Sequence, residues 1–302
     1  MRNFEQKSYQ QHSLHFKDYA EGGEKEAHAR TWFQTDTVDA WRHQRMYAAL
    51  DPLLGSDSGA RWLTVGDGRF GKDANYIEEK GGSVLATDIS DTLLQEAKLS
   101  GFISDYRLEN AESLSFDDGD FDYVFCKESY HHFPRPMVAL YEMLRVSRKG
   151  VVLLEPNDSY INSGLVHALF RKLKNVIRFL LKRNVEKHSF EVSGNYVFTI
   201  SRREIEKVAL GLDYRTVAFK GIFDAYCPGV EYEKLSDNGP LQRKLKKTFR
   251  NLELRRKLGL LDYNILAAVI FKQTPSPDLV ARMLEGGYEV IHLPKNPHIS
   301  DE

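Results

Sequence analysis

From residue 61 onward the chain alternates short apolar runs with helix-length amphipathic stretches, and this alternation restricts the fold more than any other feature of its 302 residues. RWLTVG (61–66), SVLATD (83–88), DYRLEN (105–110), FDYVFC (121–126) and GVVLLEP (150–156) have the length of strands. The segments between them, near 71–80, 91–99 and 136–147, have helical spacing. Strands separated by helical crossovers pair in parallel, so the pattern predicts a doubly wound α/β sheet. YRTVAFKGIF (214–223) and YNILAAVIFKQ (263–273) are two later strands, the second apolar enough to be buried on both faces.

The flanks differ in texture. Residues 1–57 carry no strand pattern, and 35–54 place Val38, Trp41, Met46, Ala49 and Leu50 on one helical face behind Asp36 or Thr37 as N-cap. This predicts a helical lead-in over 1–57, a main domain over 58–274 and a C-terminal extension over 275–302 with a short helix, the strand-like YEVIHL and an irregular end. Two charged helical insertions interrupt the main domain, at 159–195 and 224–260. Between them, Ser201 followed by Glu204 reads as a capping box.

Apolar residues make up 42% and charged residues 28%, with a formal charge of −1, so net charge draws the chain to neither nucleic acid nor membrane. Cys126 and Cys227 lack metal-ligand spacing and make no disulfide framework, and no leader or 18-residue apolar run occurs, so the expectation is a cytoplasmic protein without a metal.

The chemistry-bearing stretch is VGDGRFGKDA (65–74). Gly66, Gly68 and Gly71 have G-x-G-x-x-G spacing between a strand and a helix, where glycine lets backbone approach a ligand and the helix start favours an anion. Asp88 closes the second strand, placed to accept the hydroxyls of an adenosine ribose, and equally placed to cap the next helix. These two features alone suit either NAD or S-adenosylmethionine.

The segments downstream separate the two. NAESLSF (110–116), FDYVFC leading into a loop that ends HHF, and MLRVSRKGVVLLEPN (143–157) together resemble the class I S-adenosylmethionine-dependent methyltransferases, in particular the small-molecule group that includes ubiquinone and menaquinone methyltransferases. The resemblance covers residues 58–158 and, in strand order, 196–272. It implies a Rossmann-like sheet of seven strands with an antiparallel last strand, helices on both faces, and S-adenosylmethionine as cofactor. It further implies Gly66, Asp67, Gly68 and Lys127 beside the methionine moiety, Asp88 with Ile89 at the ribose, and Asn110, Ala111 and Glu112 at the adenine. In the same terms His131 and His132 fall on the acceptor side, where a histidine suits proton removal from a hydroxyl, or else caps the next helix. Glu128, Tyr130 and Glu155 are lesser candidates nearby.

Two positions depart from the family's pattern. Thr64 stands where an acid usually helps hold the cofactor's ammonium group, a charge that Asp67 is placed to supply, and Gly71 comes one residue late. The missing acid keeps a non-catalytic, methyltransferase-like binding protein open, and the glycine spacing keeps an NAD-dependent oxidoreductase open.

Residues 170–187 hold seven Lys or Arg against Glu186, interleaved with Leu, Ile and Phe, and a second basic run spans Arg243 to Lys257. The first fits a lid over the acceptor, a helix on an anionic membrane surface or an ordinary solvated helix; together they suggest an anionic acceptor, a small molecule or a glycan. No nucleic-acid-binding module accompanies them. The aromatic stretch with Trp32, Phe33, Trp41, Arg42 and His43 fits closure over the cofactor and core packing equally. The resulting expectation is methyl transfer to oxygen, because two histidines are available as bases; the oligomeric state is not legible.

Overall fold

A computed structural model describes residues 2–20, 22–158, 189–191 and 194–298. The expected lid helix of the 159–195 insertion falls almost wholly outside these residues.

One eight-stranded sheet organises the chain. The first five strands are β1 (Arg61–Val65), β2 (Ser83–Asp88), β3 (Tyr106–Leu108), β4 (Phe121–Lys127) and β5 (Ser147–Pro156). They are followed by β6 (Thr216–Ile222), β7 (Ile265–Phe271) and β8 (Glu289–His292), in the spatial order β3-β2-β1-β4-β5-β7-β6-β8. β1 to β5 are parallel, with Leu63 opposite Leu85 and Val124, and Cys126 opposite Leu153. β7 runs antiparallel between β5 and β6. The expectation of seven strands is corrected by β8, which pairs antiparallel with β6 and covers backbone groups that would otherwise form an open edge. The C-terminal extension therefore completes the sheet.

Strand alternation sorts the core into two layers. Trp62, Phe125, Val152 and Val269 face the layer formed with α4 (Asp51–Ser56), α5 (Lys72–Glu79), α6 (Thr92–Leu99) and the late helix Pro277–Glu285. Their neighbours Leu63, Val124, Val151 and Ile270 face α7 (Pro136–Val146) and α8 (Arg202–Gly211). A period of two places adjacent residues on opposite faces, so strands covered on both sides become apolar throughout. α8 starts with the expected capping box: Glu204 N donates to Ser201 Oγ at 3.2 Å and Ser201 N to Glu204 Oε2 at 3.0 Å.

Before β1 lie α1 (Arg2–His15), a turn at Phe16–Tyr19, α2 (Glu26–Arg30) and α3 (Val38–Tyr47). The continuous helix expected over 35–54 is broken between α3 and α4, because Pro52 is accommodated in the first turn of a helix but has no N–H to continue one. Thr37 is the N-cap of α3, its Oγ1 accepting from Ala40 N at 3.1 Å. Within 224–260 the helix α9 covers only Pro240–Lys257, and Glu233 caps it through the amides of Leu241 and Gln242 at 2.9 and 2.7 Å. Leu245 and Phe249 of α9 pack with Val38, Phe223 and Val230.

Candidate functional site

The glycine loop leaves β1 and turns into α5. Gly66 has φ +79, in the left-handed region, and a Cβ there would lie 2.4 Å from that of Ser129. At Gly68 a Cβ would lie 2.8 Å from Asp88 Oδ2 and 2.4 Å from the Phe16 ring. The loop thus opens a cradle between strand ends that any side chain would fill.

Asp88 sits in that cradle, buried. Burial pushes its carboxyl up to about 7, although amides of Ser90, Gly68 and Ile89 point at it, that of Ser90 at 2.9 Å. A cleft of about 90 Å³ brings Asp88 together with Ile89, Asn110, Ala111 and Glu112 from the ends of β2 and β3, and Phe133 closes its other side. Asn110 Oδ1 accepts from Glu112 N at 3.0 Å. The Glu112 carboxylate is engaged by Arg135, through N at 2.7 Å and Nε at 2.6 Å, and by the Tyr9 hydroxyl at 2.7 Å. Glu112 lines the cleft while its carboxylate pins α1 to the segment before α7.

A larger cavity of about 630 Å³ adjoins this cleft; Gly66, Ser129, His12, Phe16 and His132 border both. Asp67 and Lys127 line it, yet their charges are directed differently from the expectation. Asp67 accepts from Asp73 N at 3.0 Å, Ala74 N at 2.9 Å and Thr64 Oγ1 at 2.9 Å, so its carboxylate caps α5 and uses the hydroxyl that replaces the family's acid. Lys127 Nζ lies 2.6 Å from Glu128 Oε2 and 3.2 Å from His43 Nδ1. Glu128, at φ +50, keeps its carboxylate well below the ordinary range, because Lys127 and its neighbouring cations overcome the burial that opposes ionisation. Burial and the flanking Lys127 and Arg42 hold His43 neutral, its pKa well below the ordinary value.

Of the two histidines expected to serve as bases, only His132 borders the cavity. His131 turns the other way, with Nδ1 2.6 Å from Oε2 of the fully buried Glu155. Burial opposes its protonation, but the bond to Glu155 wins and raises its pKa. Glu155 Oε1 also accepts the amides of Ser129 and Tyr130 at 2.9 and 3.0 Å, clamping the loop that carries His132. His132 Nδ1 is hydrogen-bonded to Glu191 Oε1, and His12 Nε2 lies 3.7 Å from Glu191 Oε2. Tyr130 is buried in the core.

Two cations on the cavity wall, Arg69 and Lys72, have no carboxylate within ion-pair distance among the described residues. Arg69 lies over the Trp32 ring at 5.2 Å. Burial lowers the Lys72 ammonium to about 8.

The N-terminal contributions Tyr9, His12, Phe16 and Tyr47 escape sequence reasoning, because their segments carry no motif and reach the site only by packing. Glu191 falls within the 159–195 insertion, whose basic pattern does not single it out. Of the aromatic stretch, Trp32 and His43 reach the cavity, whereas Trp41 packs on Phe249 and Phe33 on Phe70 and Phe102. The basic residues of α9 do not line the cavity, so the charge they carry says nothing about what it binds. Among the described residues no helix is long and apolar enough to cross a membrane.

Residues 63–154 match a family of methyltransferase domains. No curated protein matches the chain. Solved structures with a similar chain course include the 4+2 cyclase SpnF, at 16% identity over 78% of this chain and 82% of that one, with a TM-score of 0.48. An S-adenosylmethionine-dependent methyltransferase from Archaeoglobus fulgidus is similar at 16% identity over 76% and 94%, with a TM-score of 0.46. Magnesium protoporphyrin IX methyltransferase (ChlM) from Synechocystis PCC 6803, solved with S-adenosylhomocysteine, is similar at 14% identity over 76% and 84%, with a TM-score of 0.44.

Proposed function

We propose that this chain, whose residues 63–154 match a family of methyltransferase domains, is a class I S-adenosylmethionine-dependent methyltransferase that transfers the methyl group to a hydroxyl of a small anionic acceptor. When bound, the cofactor supplies a methyl group activated by a sulfonium centre. Asp88 would hold the ribose hydroxyls, with Asn110 and the Ala111 backbone at the adenine and Gly66 and Gly68 along the methionine part; Ile89 and Glu112 shape the same cleft. Asp67 acts by capping α5, and Lys127 by holding Glu128 and His43 of α3.

One observation carries the acceptor reading: His132 and the cations Arg69 and Lys72, which have no carboxylate partner among the described residues, border the same cavity of about 630 Å³ beside the cleft that would take the adenosine. Glu191 fixes Nδ1 as the protonated nitrogen of His132 and leaves Nε2 to take a proton from an acceptor hydroxyl. Arg69 and Lys72 would neutralise a carboxylate or phosphate on the acceptor and so orient it. Proximity then supplies most of the rate, since the displacement needs an aligned, desolvated oxygen more than elaborate acid–base groups. His131 and Glu155 position the loop and take no proton from the acceptor.

Incubating the protein and a pool of small metabolites with methyl-labelled cofactor tests this. The expected product carries the label on oxygen of an acidic compound. Label on nitrogen or carbon, or on a neutral compound, overturns the acceptor reading; absence of S-adenosylhomocysteine binding by calorimetry would contradict the cofactor assignment.

A further inference from the structure

The helix α9 carries eight basic residues against one acidic residue, Glu253. Its buried face is the stripe Gln242, Leu245 and Phe249, which packs on α3 through Val38 and Trp41. Arg45 of α3 stacks on Phe249 at 3.8 Å. The opposite stripe, spaced four, three and four residues, is Arg243, Lys247, Arg250 and Leu254, with Leu258 one turn further. Leu254 and Leu258 are 58% and 61% exposed.

Among the described residues, Lys246, Lys247, Arg250, Arg255 and Lys257 have no carboxylate within ion-pair distance; Arg256 pairs with Glu253 in the same helix. A solvated helix with no partner normally interleaves both signs of charge, which lowers self-repulsion. Here like charges are concentrated on one face, and the two aliphatic side chains at its end are more than half exposed. A nucleic-acid backbone would satisfy the cations but gives a leucine no apolar environment. The headgroup region of an anionic bilayer satisfies both, with cations at the phosphates and leucines at the acyl boundary.

We propose that the outer face of α9 docks this protein on an anionic lipid bilayer. The contact is peripheral: the cationic stripe supplies long-range attraction and Leu254 and Leu258 supply short-range insertion. Because α9 packs on α3, which gives Asp39 and His43 to the cavity wall, docking fixes how the cavity is held relative to the lipid surface.

The full chain is sedimented with vesicles of phosphatidylcholine alone and with vesicles containing phosphatidylserine, and is titrated in parallel with a single-stranded RNA oligonucleotide. Binding is expected only to the anionic vesicles, and to weaken as salt rises. K247E/R250E should lower the partition coefficient roughly ten-fold or more, since each basic residue near such a surface contributes about five-fold. L254S/L258S should lower it as well while leaving any RNA binding unchanged. Neither pair lies in the cofactor or acceptor site, so S-adenosylhomocysteine affinity and the circular dichroism spectrum should match wild type and report folding. Vesicle binding unaffected by K247E/R250E assigns it to another surface and overturns the proposal. So does binding of RNA in preference to vesicles, or binding to neither.

Discussion

The carboxylate of the fully buried Glu155 lies 2.6 Å from His131 Nδ1 and at the same time accepts two amides of the loop that carries His132. One residue at the end of β5 thereby sets the path of the loop bordering both the cleft and the cavity. Removing one partner of a buried pair leaves the other uncompensated, so Glu155→Ala should cost about 3 kcal/mol or more in urea unfolding. His131→Asn should cost less, and its cost should depend on pH. The folded pKa of His131 is raised, so its stabilisation is fully present below about pH 6.5 and is lost as pH rises through the folded value. The difference between wild type and His131→Asn should therefore shrink from pH 6 to pH 9; a constant difference would show that the charge on His131 contributes nothing.

Asp88 should behave in the opposite sense. Its folded pKa is raised to about 7, so the unfolded chain ionises first and the buried carboxyl costs stability progressively as pH rises from about 4 to 7. Asp88→Asn keeps an acceptor for the Ser90 amide and should stabilise the cofactor-free protein at pH 8 by about 2 to 4 kcal/mol, the upper figure corresponding to the full shift. The same substitution should weaken S-adenosylhomocysteine binding ten-fold or more, because a charge-assisted bond to the ribose is lost. Calorimetry at pH 6 and 8 should also show wild-type affinity rising with pH. Unchanged affinity in the variant removes Asp88 from the cofactor site.

Asp67 separates a cap from a ligand. Its oxygens are occupied by two amides of α5 and by Thr64, so Asp67→Ala should lower stability by about 1 to 2 kcal/mol. Asp67→Asn should bind S-adenosylhomocysteine within a few-fold of wild type. A hundred-fold loss with Asp67→Asn would instead mean that this carboxylate faces the cofactor's ammonium group.

Proton transfer at His132 is tested by His132→Ala. Turnover should fall by roughly 100- to 10,000-fold while S-adenosylhomocysteine affinity holds, the range expected for loss of a positioned base. Glu191→Gln should lower kcat less and shift its pH profile, because the carboxylate acts through the ring. Full activity of His132→Ala would leave the acceptor proton to another group.

Lys72 gives the acceptor site a pH signature. Its ammonium is lowered to about 8, so KM for an anionic acceptor should rise as pH passes through 8, and Lys72→Met should raise KM at pH 7 and abolish that rise. A KM indifferent to Lys72 would place the acceptor elsewhere in the cavity.

The sequence alone determined the parallel half of the sheet and the strand ends at which the glycine loop and Asp88 meet. Strand alternation, helix spacing and the glycine loop depend on neighbours a few residues apart, and so does the capping box at Ser201. The meeting of Asp88, Asn110 and Ala111 at one cleft was legible for the same reason: each lies at or just past a strand end marked in the chain. Only the tertiary structure decided what the ionisable groups do. Asp67 and His132 stand in equally suggestive motifs, yet one carboxylate is consumed by amides six and seven residues on, while the imidazole is oriented by a glutamate 59 residues away. His131 and His132 are adjacent in sequence and separate in role, because Glu155 captures one and the cavity receives the other. Hydrogen-bond partners and burial are set by packing between distant segments, and they govern charge and orientation more strongly than residue type does.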